Sequence, residues 1–85
     1  MTCDEVFGDA EGYVSCAEAP GSCTFNVNLF GADCSTVCEM FGQDCIDALN
    51  NPGLGDGNEC FDQGGNFNCN SGGKDTLICI CTLPS

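Results

Sequence analysis

Ten of the 85 residues are cysteine, namely Cys3, Cys16, Cys23, Cys34, Cys38, Cys45, Cys60, Cys69, Cys79 and Cys81, and nothing else in the chain restricts its fold so strongly. A chain this short buries too small a fraction of its surface to rest on packing alone. At about 12% cysteine it lies above the level that marks a disulfide scaffold. Thiolate zinc sites are the rival use of clustered cysteines, but they usually bring histidines or C-x2-C pairs. Here there is no histidine, and the short spacings are C-x3-C at Cys34 and Cys38 and C-x-C at Cys79 and Cys81. The ten thiols are therefore expected to form five bridges, with no metal and no cofactor. Ten cysteines allow about 945 pairings, and spacing does not choose among them. Such a density of disulfides belongs to an oxidising compartment or the cell exterior, so the expected location is secreted and extracellular.

Within this framework the chain reads as one domain over residues 1–85. The stretch "DCSTVCEMFGQDC" (33–45) has the spacing of a helix, since Cys34, Cys38, Phe41, Cys45 and Leu49 step by four, three, four and four along one face. Ser35 or Thr36 is the expected N-cap, and Thr36 with Glu39 has capping-box spacing. "NNPG" (50–53) is the expected stop. Gly42 costs a helix interior about 1 kcal/mol relative to alanine, which leaves open two short helices broken near it, the second capped by Asp44.

"GYVSC" (12–16) reads as a short strand and "APGS" (19–22) as a turn. "CTFNVNLF" (23–30) alternates Phe25, Val27 and Leu29 against Thr24, Asn26 and Asn28, the pattern of a half-buried strand. "TLICICTL" (76–83) is apolar on both faces and reads as a strand covered on both sides. The first dozen residues are expected to be mobile and held mainly by Cys3. The segment 53–74, rich in Gly, Asn and Asp, reads as a long loop anchored by Cys60 and Cys69. The expected fold is a small disulfide-rich α+β domain, with one helix or two short ones packed on a small antiparallel sheet. Its helix cysteines are expected to be stitched to strands carrying Cys23, Cys79 or Cys81, each bridge contributing roughly 3 kcal/mol when it closes a loop of about 15 residues.

Thirteen acids against one lysine and no arginine give a net charge of −12. Nucleic acid and anionic membranes are bound through clusters of Lys and Arg, so neither is an expected partner. There is also no apolar run of about 18 residues, which argues against membrane insertion. The opening "MTCDEVFGDAEGY" lacks the apolar run that a signal peptide needs. The chain therefore reads as a mature form in which Met1 is an added residue or a processing remnant. The polar clusters "GDGNEC" (55–60) and "DQGGNFNCN" (62–70) do not fit the twelve-residue calcium loop and read more readily as turns. Self-association works against like charge, so a weak homo-oligomer should tighten as salt rises.

Catalytic equipment is sparse. Without histidine there is no His-based general base, and without arginine no bidentate phosphate clamp. With every cysteine bridged there is no nucleophilic thiol. The expected activity is recognition rather than catalysis. Tyr13, Phe61 and Phe67 lie in polar, turn-rich surroundings, where a ring either packs as a satellite of the core or anchors a partner. Phe61, beside Cys60, inclines toward packing; Phe67 and Phe7 are evenly placed between the two roles. The loop held by Cys60 and Cys69 is the expected recognition surface, through Phe61, Asp62, Gln63, Asn66, Phe67 and Asn68.

In length, cysteine number and acidity, with half-cystines such as Cys34, Cys38 and Cys45 on a helix, the whole chain resembles the water-borne mating pheromones of the ciliate Euplotes. The resemblance implies a secreted signal of mating type that binds a protein receptor on the cell surface, with self-association and receptor binding using similar surfaces. It carries over no functional residue. The alternatives are a secreted effector or enzyme inhibitor presenting a disulfide-held loop, and a carbohydrate-binding module. The last is weakly supported by one tyrosine and no tryptophan.

Overall fold

A computed structural model describes residues 2–51, 59–73 and 75–84. Along the chain come helix α1 (Cys3–Phe7), strands β1 (Val14–Ala19) and β2 (Ser22–Asn28), helix α2 (Cys34–Met40), and strands β3 (Cys45–Leu49) and β4 (Thr76–Thr82). The strands form one antiparallel sheet in the order β1-β2-β4-β3, with both helices packed on it. The expected small disulfide-rich α+β fold is thus the observed one.

The start of the chain is not mobile as expected. Thr2 caps α1 through a capping box: its hydroxyl accepts the Glu5 N–H at 3.2 Å, and its own N–H donates to the Glu5 carboxylate at 2.8 Å. Accepting that bond holds the Glu5 carboxyl below its ordinary range. Five residues are too few to hold a helix unaided. α1 is docked by the Cys3–Cys23 bridge, by the Cys3 N–H donating to the Glu18 carboxylate at 2.9 Å, and by Phe7, which is fully buried. Phe7 stacks on Phe25 at 4.7 Å and meets Phe41 edge-on at 5.5 Å, while Tyr13 tilts against Phe25 at 5.3 Å.

The helical stripe from Cys34 to Leu49 is interrupted halfway. α2 ends at Met40 with Phe41 as its C-cap, and Gly42 follows at φ +76°, a left-handed conformation that glycine enters without steric cost. The chain beyond it is β3, a strand rather than a second helix, and Asp44 caps nothing helical. β3 pairs with β4 by setting Ala48 opposite Cys79 and Leu49 opposite Ile78. The helix N-cap is also corrected, from Ser35 or Thr36 to Asp33, whose carboxylate accepts the Thr36 N–H at 2.8 Å.

The ten cysteines pair as Cys3–Cys23, Cys16–Cys60, Cys34–Cys79, Cys38–Cys81 and Cys45–Cys69. Of the strands expected to take the helix cysteines, β4 does so and the one carrying Cys23 does not, since Cys23 is bridged to Cys3; simple geometry explains the double stitch of α2 to β4. Four residues of helix advance about 6 Å, and two residues of strand advance about 6.8 Å. A C-x3-C on a helix therefore matches a C-x-C on a strand when the two run in the same direction, as α2 and β4 do. Cys45, no longer helical, ties β3 to Cys69 instead.

Central strands β2 and β4 bury both faces. Cys23, Phe25, Val27, Leu77, Cys79 and Cys81 join the core, and Ile78, on the opposite face from Cys79, is also buried. Asn26, expected on a solvated face, is buried too. Its amide donates to the Gly12 carbonyl at 3.2 Å and accepts from Asn51, which in turn accepts from the Thr76 hydroxyl at 3.0 Å. Buried amides that are satisfied in this way fix the position of the chain leaving β3. The two edge strands are both irregular: register shifts occur between Ser15 and Ala17 in β1 and between Cys45 and Asp47 in β3.

Candidate functional site

The disulfides place the loop expected to carry recognition. Cys60 is tied to β1 and Cys69 to β3, so the segment between them is fastened to both edges of the sheet. The Gln63 N–H donates to the Asn50 carbonyl at 2.6 Å. The Asp62 carboxylate accepts the Gly64 N–H and the Asn68 side chain accepts the Asn70 N–H, the Asx turns that such residues form on their own backbone. Asp62, Gln63, Asn66 and Asn68 are exposed. The two rings take different roles, against expectation for Phe61 and within the two left open for Phe67. Phe61 is 57% exposed rather than packed. Phe67 is half-buried against the core and is not a free anchor. "GDGNEC" lies largely outside the described residues.

Phe7 and Tyr13 are likewise not anchors. Phe7 belongs to the core, and the Tyr13 hydroxyl donates to the Asp4 carboxylate at 2.7 Å. Burial, with that bond second, pushes the Tyr13 hydroxyl up to about 12.

A second surface was not anticipated. β2 ends in a tight turn in which the Ala32 N–H donates to the Leu29 carbonyl at 2.9 Å, with Phe30 at φ +52° and Gly31 at φ +86°. Two positive φ values in succession are those of a type I′ turn, whose first central position normally holds Asn, Asp or Gly. A left-handed conformation costs a residue with a Cβ about 1–2 kcal/mol. Among the described non-glycine residues only Phe30 has a positive φ, and its ring is 77% exposed.

Met40, the last residue of α2, shares a cleft with Phe30 and is 73% exposed. Both line this one cleft of about 270 Å³, together with buried Val27, Leu29 and Val37 and half-buried Phe41. Asp9 and Glu11, from the turn joining α1 to β1, complete its lining, and both are exposed. Asn28 also lines it, and its side-chain oxygen is buried without a hydrogen-bond partner among the described residues. Drug-sized pockets start near roughly 300 Å³, and a cavity of about 150 Å³ holds a benzene ring. The cleft is therefore scaled to one or two side chains.

Sequence reasoning missed Phe30 because alternation in "CTFNVNLF" assigned only Phe25, Val27 and Leu29 to a face. The signal that remained was a ring immediately before Gly31 at the end of a strand.

No known family model matches the chain, and no curated protein or solved structure is significantly similar to it. Among the described residues no helix is long and apolar enough to cross a membrane.

Proposed function

We propose that the protein is a secreted, non-catalytic recognition ligand that binds a protein receptor at a cell surface, as the mating pheromones it resembles do. The observation that carries this reading is Phe30, a large ring held out in water on a backbone conformation it intrinsically disfavours. Residues kept in sparsely populated conformations concentrate at functional sites. The five disulfides support an extracellular setting, and the absence of histidine and arginine from the sequence supports binding over catalysis.

The test is binding of fluorescently labelled, disulfide-intact protein to cells of the producing species, sorted by mating type. Saturable binding displaced by excess unlabelled protein is expected. No saturable binding to any mating type would sink the proposal. Nanomolar inhibition in a protease or glycosidase panel would replace it with the inhibitor reading, for which the disulfide-held loop presenting Phe61 is the natural surface.

A further inference from the structure

We infer that the cleft shared by Phe30 and Met40 receives a lysine or arginine side chain, flanked by an apolar residue, from a basic protein partner. This deepens, and rests on, the reading of the chain as a recognition ligand. The cleft is lined mainly by aliphatic and aromatic carbon, which suits the methylene stem of a long cationic side chain. Its polar exceptions, Asn28 and Thr36, include the Asn28 oxygen, unpartnered among the described residues and an acceptor for a cationic N–H. Asp9 and Glu11 supply the complementary end. Their carboxylates have no hydrogen-bond or ion-pair partner among the described residues, so they are available to a cationic head emerging from the cleft. Phe30 and Met40 are the exposed apolar residues of the lining, a ring for the guanidinium or ammonium to lie against and a thioether that adapts to a neighbouring apolar residue.

Charge decides the identity of the occupant. The chain has a single lysine and no arginine, and a second copy would bring −12 toward −12, so self-docking in this cleft is disfavoured. A basic partner is instead drawn in by the whole molecule's field, which raises the association rate and makes it fall as salt rises.

The test is an NMR titration of the full disulfide-intact, 15N-labelled protein with the synthetic peptide acetyl-Leu-Lys-Leu-Arg-Leu-amide and its counterpart carrying norleucine in place of Lys and Arg. Saturable shifts are expected at the amides of Glu11, Phe30, Gly31, Val37 and Met40. Affinity should weaken by about tenfold or more in Phe30→Asn, in the double variant Asp9→Asn with Glu11→Gln, and with the norleucine peptide. Phe30→Asn keeps a residue suited to the turn, and its own spectrum reports that it is folded. The inference is overturned by an absence of shifts at millimolar peptide, by shifts confined to residues 59–73, or by equal affinity for the norleucine peptide. Concentration-dependent shifts at the same amides without peptide would overturn it in favour of a second copy.

Cell binding with the same variants separates the two levels. If the wild-type protein fails to bind cells, the recognition reading falls. If Phe30→Asn binds as well as wild type, the cleft assignment falls together with the support that Phe30 lends to recognition, while the demonstrated cell binding keeps the recognition reading standing.

Discussion

Phe30 sets two local energies against each other. The left-handed backbone costs about 1–2 kcal/mol. The ring is 77% exposed, so the quarter or so of its surface that is covered, roughly 40–50 Å², contributes only about 1 kcal/mol. Replacement by Asn, which tolerates this conformation, is therefore expected to leave stability unchanged or raise it by up to about 1 kcal/mol. Guanidinium unfolding with the disulfides intact checks this, and a clear fall in the midpoint would mean that the ring holds the fold rather than serving a partner. Legibility at this scale was uneven. "TCDE" at the start carries the same S/T-x-x-E spacing as Thr36 and Glu39, so the cap of α1 was readable. The Phe30-Gly31 turn was not, because Phe is not a residue that announces positive φ. Phe61 and Phe67 lie six residues apart in similar composition, and only the folded chain tells the exposed ring from the packed one.

At the level of elements, α2 depends on its ends. Asp33 accepts the Thr36 N–H, and this bond holds its carboxyl below the ordinary range. The unfolded chain thus takes up the proton first as pH falls. The contribution of Asp33 is complete above the ordinary carboxylate pKa and disappears as pH drops through the lowered one. Asp33→Ala is expected to cost about 1 kcal/mol near neutrality, and the gap between the two proteins should narrow by about pH 2. Comparing the two cancels the charge repulsion among the other carboxylates, which both share; Asp33→Asn, which removes the same charge but keeps a capping oxygen, accounts for the one charge that differs. Equal gaps at both pH values would mean that the ionised cap is not the source. Strands β2 and β4 and the turn at Pro20-Gly21 were legible from alternation and turn chemistry, while β1 was legible only in part, expected over 12–16 and found at Val14–Ala19. β3 was not, because Cys45 and Leu49 continue the spacing of the helical stripe, and only the backbone at Gly42 tells that the period has changed from 3.6 to 2.

For the whole molecule, the bridges fall into two groups by burial. Cys3–Cys23, Cys34–Cys79 and Cys38–Cys81 are closed off in the core, whereas Cys60 is exposed and Cys16, Cys45 and Cys69 are half-buried. Limited phosphine reduction at acidic pH, followed by alkylation and peptide mapping, should open Cys16–Cys60 and Cys45–Cys69 first. An advantage of about tenfold or more is expected, since reaching a buried bridge requires a local opening of at least ~1.4 kcal/mol. Early loss of Cys34–Cys79 or Cys38–Cys81 would show that access does not govern the order. The even cysteine count made five bridges readable, and β4 was among the strands open to the helix cysteines, but Cys23 went to Cys3 and the remaining partners depended on where β1 and β3 lie, and the edges of a sheet are not written in spacing. Those edges have a consequence for how the molecule behaves in a crowd. An open sheet rim invites a stranger's strand to hydrogen-bond along it, and a register break blunts that invitation. Here both rims are broken, at Cys16 and next to Cys45, beside the same cysteines that fasten the loop. Neighbouring copies thus meet a rim whose regular run is short on either side of the break, which works against strand-by-strand stacking of one copy on the next.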